Sequence, residues 1–289
     1  RANVGEVRSR GFDGNFTFRE KIGNVDLTVR GNMTYSKNEV LEKDEENKVY
    51  PYQYERGYRV DQEKGWVALG LFKDYDDIRN SPKQTWTSVQ PGDIKYKDIN
   101  GDGVIDDSDQ VAIGATKRPN LIYGIGTSIA WKGFDVNLHF QGSGKSTFCI
   151  DGKTVRAFSE SDWGNILTDL INDRWVDAET AATLGIQANE NPNASYPRLS
   201  YGENSNNFRN STFWMRNGRY FRLKNLDVGY TLPKSIVNKL HLSNIRIFMT
   251  GTNLLTWSSF KLWDPEMGST NGEQYPLTKS VTMGLTVNL

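Results

Sequence analysis

The densest set of chemistry-bearing side chains in this 289-residue chain is Asp98-Ile-Asn-Gly-Asp-Gly-Val-Ile-Asp-Asp-Ser-Asp109. With Asp98 as position one, oxygen donors fall at one, three and five (Asp98, Asn100, Asp102), Gly103 at six, and carboxylates at nine and twelve (Asp106, Asp109). This is EF-hand loop spacing with Asp in place of the closing Glu, and the backbone carbonyl of Val104 falls where such a loop supplies its seventh-position ligand. An all-oxygen cage suits a hard cation, so the spacing predicts Ca²⁺, or Mg²⁺ as the alternative. No base or nucleophile lies close in sequence and no helical pattern flanks the loop, so the ion is expected to pin a loop rather than catalyse or signal. The competing reading is a solvated acidic turn, because Asn-Gly and Asp-Gly are ordinary turn formers.

Other candidate motifs weaken on inspection. Gly142-Ser-Gly-Lys-Ser-Thr147 imitates a phosphate loop, but that motif needs a glycine where His139 stands, and no convincing helix follows. His139 and His241 lie far apart with no Ser, Cys or carboxylate pair at a telling spacing, so no catalytic constellation emerges and the chain is read as a non-enzyme. One cysteine, Cys149, excludes an internal disulfide and any cysteine-based zinc site. Aromatic residues are abundant between the regular segments. Trp163, Trp175, Tyr201, Trp214, Trp257 and Trp263 are the candidates for rings that stack on sugars or clamp peptide side chains, with loop packing as the commoner role for any one of them.

These residues hang between segments of strict two-residue alternation. Phe134, Val136, Leu138 and Phe140 share one face while Asp135, Asn137, His139 and Gln141 share the other. Val25, Leu27, Val29, Met33 and Tyr35 repeat the pattern against Asp26, Thr28, Arg30, Asn32 and Thr34, as do Tyr123, Ile125, Thr127, Ile129 and Trp131. About seven strands are predicted, near 6–20, 25–36, 121–131, 134–141, 219–231, 245–251 and 281–289. A bulge near Lys224-Asn225 is required, because Phe221 and Leu223 fall on one parity and Leu226, Val228 and Tyr230 on the other. The connections alternate short and long, with long excursions at about 37–119, 144–217 and 252–277. A short helix is expected in Asp162–Trp175, from Ile166, Leu167, Leu170 and Ile171 at helical spacing.

The predicted fold is therefore all-β, a segment of transmembrane antiparallel β-barrel: one solvent is lipid, the other the lumen. No window supports a spanning helix, and mean hydropathy is −0.62. Thirty-five basic against 35 acidic residues give no electrostatic case for nucleic acid. Short turns belong to the periplasmic side of such barrels and long loops to the outside, which would place the C-terminus in the periplasm. Seven strands cannot close a barrel, so further strands must come from elsewhere. The chain opens at Arg1 without a Met or a secretory signal and is expected to be a fragment or processed piece.

The run Gly92-Asp-Ile-Lys-Tyr-Lys-Asp-Ile-Asn-Gly-Asp-Gly-Val-Ile-Asp106, then Ile113-Gly and Pro119-Asn-Leu-Ile-Tyr-Gly-Ile-Gly126, resembles the SusC/RagA family of TonB-dependent outer-membrane transporters of Bacteroidetes. Lys132-Gly-Phe-Asp-Val-Asn-Leu138, Arg216-Asn-Gly-Arg-Tyr-Phe-Arg-Leu-Lys-Asn-Leu-Asp-Val-Gly-Tyr-Thr-Leu-Pro233 and Gly251-Thr-Asn-Leu-Leu-Thr-Trp257 resemble the same family, so the likeness runs along essentially the whole chain, 1–289. It implies the C-terminal part of a barrel of about 22 strands, with the N-terminal strands, plug and TonB-interacting segment outside this chain. It also implies a SusD-like surface lipoprotein as partner, docking on the long loops, and import of oligosaccharides or peptides. The alternative from another class is a soluble all-β carbohydrate-binding or adhesin module stabilised by calcium.

Overall fold

The computed structural model describes residues 4–153, 155–158, 166–202 and 204–289. Seven long strands form one antiparallel sheet: β1 (Glu6–Ile22), β2 (Val25–Glu42), β3 (Leu121–Trp131), β4 (Phe134–Ser143), β5 (Tyr220–Thr231), β6 (Asn244–Trp257) and β7 (Ser280–Asn288). They lie side by side in chain order. Such a meander needs only hairpin connections. The β3–β4 turn is Lys132-Gly133, both with positive φ (48° and 88°), which is the twist-matched geometry of a two-residue hairpin.

Register turns the alternation into belts. One row across all seven strands reads Ile22, Val25, Trp131, Phe134, Tyr230, Ile247, Leu285. A row of the opposite parity reads Arg19, Thr28, Ser128, Asn137, Asp227, Thr250, Thr282. The apolar face is uncovered: Ile22 is 60%, Phe134 52%, Val281 63% and Met283 77% exposed. Burying one such side chain is worth roughly 1.5–3 kcal/mol. A continuous belt of them facing water is therefore the wrong design for a soluble sheet and the right one for a wall against hydrocarbon. Glu20, opposite Leu27 on the edge strand β1, is the charge within this face, and Arg8, Arg10, Lys37 and Glu39 share it beyond Phe12 and Tyr35, where Arg8 and Glu39 form an ion pair at 2.9 Å.

The expected bulge is present. Leu223 pairs with Leu255 and Asn225 with Thr252, so Lys224 stands opposite Asn253 and Leu254, and Asn253 takes φ 53° to absorb the extra residue. The β4–β5 register shifts at the same level, which restores Phe221 and Leu223 to the apolar face beside Phe140. Two strands run further than predicted. β2 continues to Glu42 and β6 to Trp257, so the adjoining loops begin at 43 and 258 rather than 37 and 252. Charges fall on both parities in Lys37–Glu42, because above the lipid nothing selects for alternation.

The hydrophobic core lies in the loops, not under the sheet. Trp66, Leu71, Ile94, Tyr96, Ile105, Phe148, Ile150, Leu170, Trp175, Tyr196, Trp214 and Phe260 form one buried cluster drawn from all three excursions. Short ladders knit it, pairing Ala68–Leu71 with Ile94–Tyr96 and Thr147–Cys149 with Met215–Asn217. The expected loop helix is shorter than predicted: Thr168–Asn172, with Leu170 buried and Ile171 exposed, while Asp162 lies outside the described residues. No helix among the described residues is long and apolar enough to cross a membrane, which says nothing of strands.

Candidate functional site

The Asp98–Asp109 segment forms a tight turn held by its own side chains. Asp98 accepts from the amides of Gly101 (2.6 Å) and Gly103 (2.8 Å), Asn100 from Asp102 N (3.0 Å), and Asp102 from Val104 N (2.8 Å). Asp106 accepts from Ser108 N, capping the helical turn Asp107–Asp109. Asp109 is fully buried; its two carboxylate oxygens take the amides of Ile99 (2.7 Å) and Asp106 (2.9 Å). The Asp106 carbonyl receives the Trp66 indole N–H (2.9 Å), and the Ser108 carbonyl receives the Tyr52 hydroxyl (2.8 Å). Burial first, and then the nearby Asp109 carboxylate, pushes the Tyr52 phenol above its ordinary range.

The donor chemistry is that of a hard-cation loop, with Asp98, Asn100 and Asp102 at the solvent edge and each oxygen retaining a second lone pair. The side chains do not converge as a finished cage: among the described residues no group of three or more carboxylate, histidine or cysteine side chains does so. Asp109 departs furthest from a ligand's role, since it already ties the two ends of the loop together.

Next to this turn the two longest loops lock together through a buried polar network that the sequence reading missed. Asp93, fully buried, accepts from Gln90 N (2.8 Å), Asn207 Nδ2 (2.8 Å) and Asn204 Nδ2 (3.2 Å), and lies 2.8 Å from Arg198 Nε. Asn206 donates to the Ile94 carbonyl while Asn207 accepts from the Ile94 amide, both at 2.9 Å. Gln84 accepts from Tyr96 N (2.7 Å), and the Tyr96 hydroxyl donates to the Asn206 carbonyl (2.8 Å). Segment 93–96 is thus paired like a sheet by side-chain amides, those of Asn204, Asn206 and Asn207 from more than a hundred residues away and that of Gln84 from 12. The amide-dense run Asn204-Ser-Asn-Asn207 was the available signal.

The third excursion is stapled to the barrel wall. Arg222, 1% exposed, donates from one nitrogen to both Asp264 oxygens (2.6 and 2.7 Å), and Lys224 reaches Glu266 at 3.1 Å.

The six candidate ligand rings separate. Trp175 (4% exposed) and Trp214 (2%) are core residues, part of the buried loop cluster. Trp257, 49% exposed, lies at the end of β6 on the apolar face, 5.7 Å from Phe221; it belongs to the rim of the lipid-facing belt rather than to a loop. Trp263 is partly buried against Phe260 (4.9 Å) with its indole N–H on the Ser269 carbonyl. Tyr201 is 74% exposed and carries the most open ring of the set, while Trp163 lies outside the described residues. His139 stands on the polar face, at the rim of a hollow of about 440 Å³ where Gly124 and Gly126 leave the wall without side chains.

No family model matches the chain. It is 29% identical over 237 residues to TonB-dependent receptor P26 of Formosa agariphila, which covers 77% of this chain and 22% of that protein. It is 26% identical over 310 residues to TonB-dependent receptor P3 of the same organism, covering 98% and 29%. Among solved structures it matches a RagAB peptide transporter with TM-score 0.71 and 19% identity, over 99% of this chain and 30% of that one. A RagAB peptide importer in an open-open state matches with TM-score 0.68 and 21% identity. The chain is thus similar in sequence to TonB-dependent receptors and in fold to RagAB. It spans less than a third of the curated relatives it matches. Its open seven-stranded antiparallel sheet shares the fold of the part of RagAB that it matches.

Proposed function

We propose that the chain supplies wall and outer loops to an outer-membrane transporter that imports oligosaccharides or peptides by TonB-dependent coupling, with a SusD-like lipoprotein seated on the loops. The single observation that carries this reading is the uncovered apolar belt of the seven-stranded sheet, set against a polar opposite face and a separate, well-packed loop core. In a soluble module the belt would have to meet a second sheet or helices, whereas the buried apolar residues of the described loops pack into a core of their own. Sequence likeness to TonB-dependent receptors supports the coupling, and fold likeness to RagAB supports a two-component assembly. In this reading the N-terminal strands and plug complete the barrel on the exposed edges of β1 and β7, the long loops are extracellular, and the C-terminus is periplasmic.

The test is extraction and uptake with the full-length protein in its native cell. The protein should partition with outer membranes, require detergent, and co-purify with a lipoprotein; uptake of its cargo should fail in a TonB-null strain. Full recovery in buffer without detergent would instead support the soluble calcium-stabilised module.

For the Asp98–Asp109 turn the reading is a structural Ca²⁺ held by Asp98, Asn100, Asp102, the Val104 carbonyl and Asp106, with Asp109 bracing the loop. Calcium should slow limited proteolysis between residues 90 and 120, and Asp98→Asn with Asp102→Asn should abolish the effect. Equal cleavage with calcium and with chelator would contradict it.

A further inference from the structure

The β1–β2 hairpin carries its apolar face in layers. Ile22, Phe18, Phe16 and Phe12 of β1 face the same way as Val25, Val29, Met33 and Tyr35 of β2. The ten residue steps from Ile22 to Phe12 amount to about 33 Å of strand. Tilted by roughly 35–45°, such a strand climbs about 25 Å, the height of the apolar band of a barrel wall. Phe12 and Tyr35, their rings stacked at 5.6 Å, close the band at the end remote from the hairpin turn. The charge within the band, Glu20, lies towards the turn.

One register step past the stacked rings, Arg10 stands directly opposite Lys37, and the next step pairs Arg8 with Glu39. Like charges directly opposed across two strands cost a sheet stability. By the same rise and tilt this pair stands about 5 Å beyond the band, which is headgroup level. On a water-facing strand two exposed cations would call for no partner. On this face they border lipid at the depth of its phosphates, and long basic side chains reach that depth with their stems on apolar surface. The nearest carboxylate on the face, Glu39, is already answered by Arg8 at 2.9 Å, and Glu6 lies about 13 Å further along the strand than Arg10, past a register shift. Below Arg10 the wall also has a slot: Gly14 stands between Phe12 and Phe16, and a β-carbon there would meet no atom within 4 Å.

We propose, resting on the lipid-facing reading of this sheet, that Arg10 and Lys37 bind the phosphate of an outer-leaflet glycolipid of the lipid A class, one acyl chain of which passes over Gly14 between Phe12 and Phe16. The guanidinium offers a two-pronged donor to phosphate oxygens and the ammonium a point charge. A phosphate between them turns their mutual repulsion into two attractions.

The experiment uses the full-length protein with its co-purifying partner in detergent and phosphate-free buffer. Native mass spectrometry follows its titration with monophosphoryl lipid A, with the same lipid after phosphatase treatment, and with inorganic phosphate. The phosphorylated lipid should be retained at a concentration at least about tenfold lower than the dephosphorylated one, and inorganic phosphate at matching concentration should not displace it. Arg10→Gln with Lys37→Gln should bring the two lipids to equal retention. Arg19→Gln with Lys21→Gln, an equal loss of charge on the polar face of β1, should leave the difference intact. If the Arg10 and Lys37 double variant fails to assemble, Arg10→Gln alone should narrow the difference, and the two lipids on the unaltered protein still decide. Equal retention of both lipids, a difference that survives loss of both cations, or displacement by inorganic phosphate would overturn the proposal. Extraction without detergent would sink the lipid-facing reading itself, whereas a detergent-dependent protein that holds both lipids equally would sink the headgroup site alone.

Discussion

Arg246 on β6 reaches across the whole width of β5 to Asp135 on β4, with Nη2 at 2.6 Å and Nε at 3.1 Å from the two carboxylate oxygens. The same guanidinium meets Asp227 on the intervening strand at 2.6 Å, and Asp227 also accepts from Thr250 (2.8 Å). The reach is possible because residue 229, directly beneath, is glycine: a β-carbon there would collide with the guanidinium. Three strands are thereby clamped on the polar face, behind the apolar row that holds Phe134, Tyr230 and Ile247. Gly229→Ala should displace Arg246, and Arg246→Ala should leave two carboxylates side by side. Each change should cost about 1.5–3 kcal/mol, the range for a hydrogen bond to a charged group. Unfolding of the assembled protein in urea, followed by loss of its heat-modifiable gel shift, measures this; Gly229→Ala and Arg246→Ala together should cost little more than Arg246→Ala alone.

The loop core turns on Asp93. Removing the carboxylate would strand Arg198 and leave the amides of Gln90, Asn204 and Asn207 without their acceptor. Breaking a buried pair from one side typically costs about 3–5 kcal/mol. Asp93→Ala should therefore loosen the long loops while the wall stays assembled. The expected readout is rapid proteolysis within 43–119 and 166–217 with the strands protected; an unchanged digestion pattern would show that the network is dispensable.

Cys149 gives a pH prediction. Burial, then the charge of Glu63, pushes its thiol up to about 12 from an ordinary 9.0, and its Sγ faces the Ser211 carbonyl at 3.7 Å. The folded state holds this proton after the unfolded chain has lost it. The stabilisation is therefore fully present below pH 9 and is lost progressively as pH rises from there towards 12. Folded protein should resist iodoacetamide at pH 8 and react at once when unfolded, because the thiolate is the nucleophile. Equal rates in the two states would contradict the assignment.

The wall was legible in the sequence because each lipid-facing position is selected alone. Val136 and Asn137 declare their faces without reference to any partner, and the parity flip between Leu223 and Leu226 announced the bulge at Lys224. The loops were not legible, because their order comes from pairings such as Asp93 with Asn207 that no local period encodes. Trp175 and Trp214 looked like ligand rings for the same reason: a tryptophan in a long loop declares nothing about what covers it.

The central claim is that lipid wets one face of this sheet, and the most direct measurement is a pair of adjacent substitutions on β4. Val136 pairs with Ile129 and Val228 on the apolar face, and Asn137 with Ser128 and Asp227 on the polar face. Arginine on the lipid face at mid-bilayer costs roughly 2–4 kcal/mol. Outer-membrane yield of folded full-length protein should collapse for Val136→Arg and stay close to that of the unaltered protein for Asn137→Arg; equal yields, or the reverse order, would contradict the account.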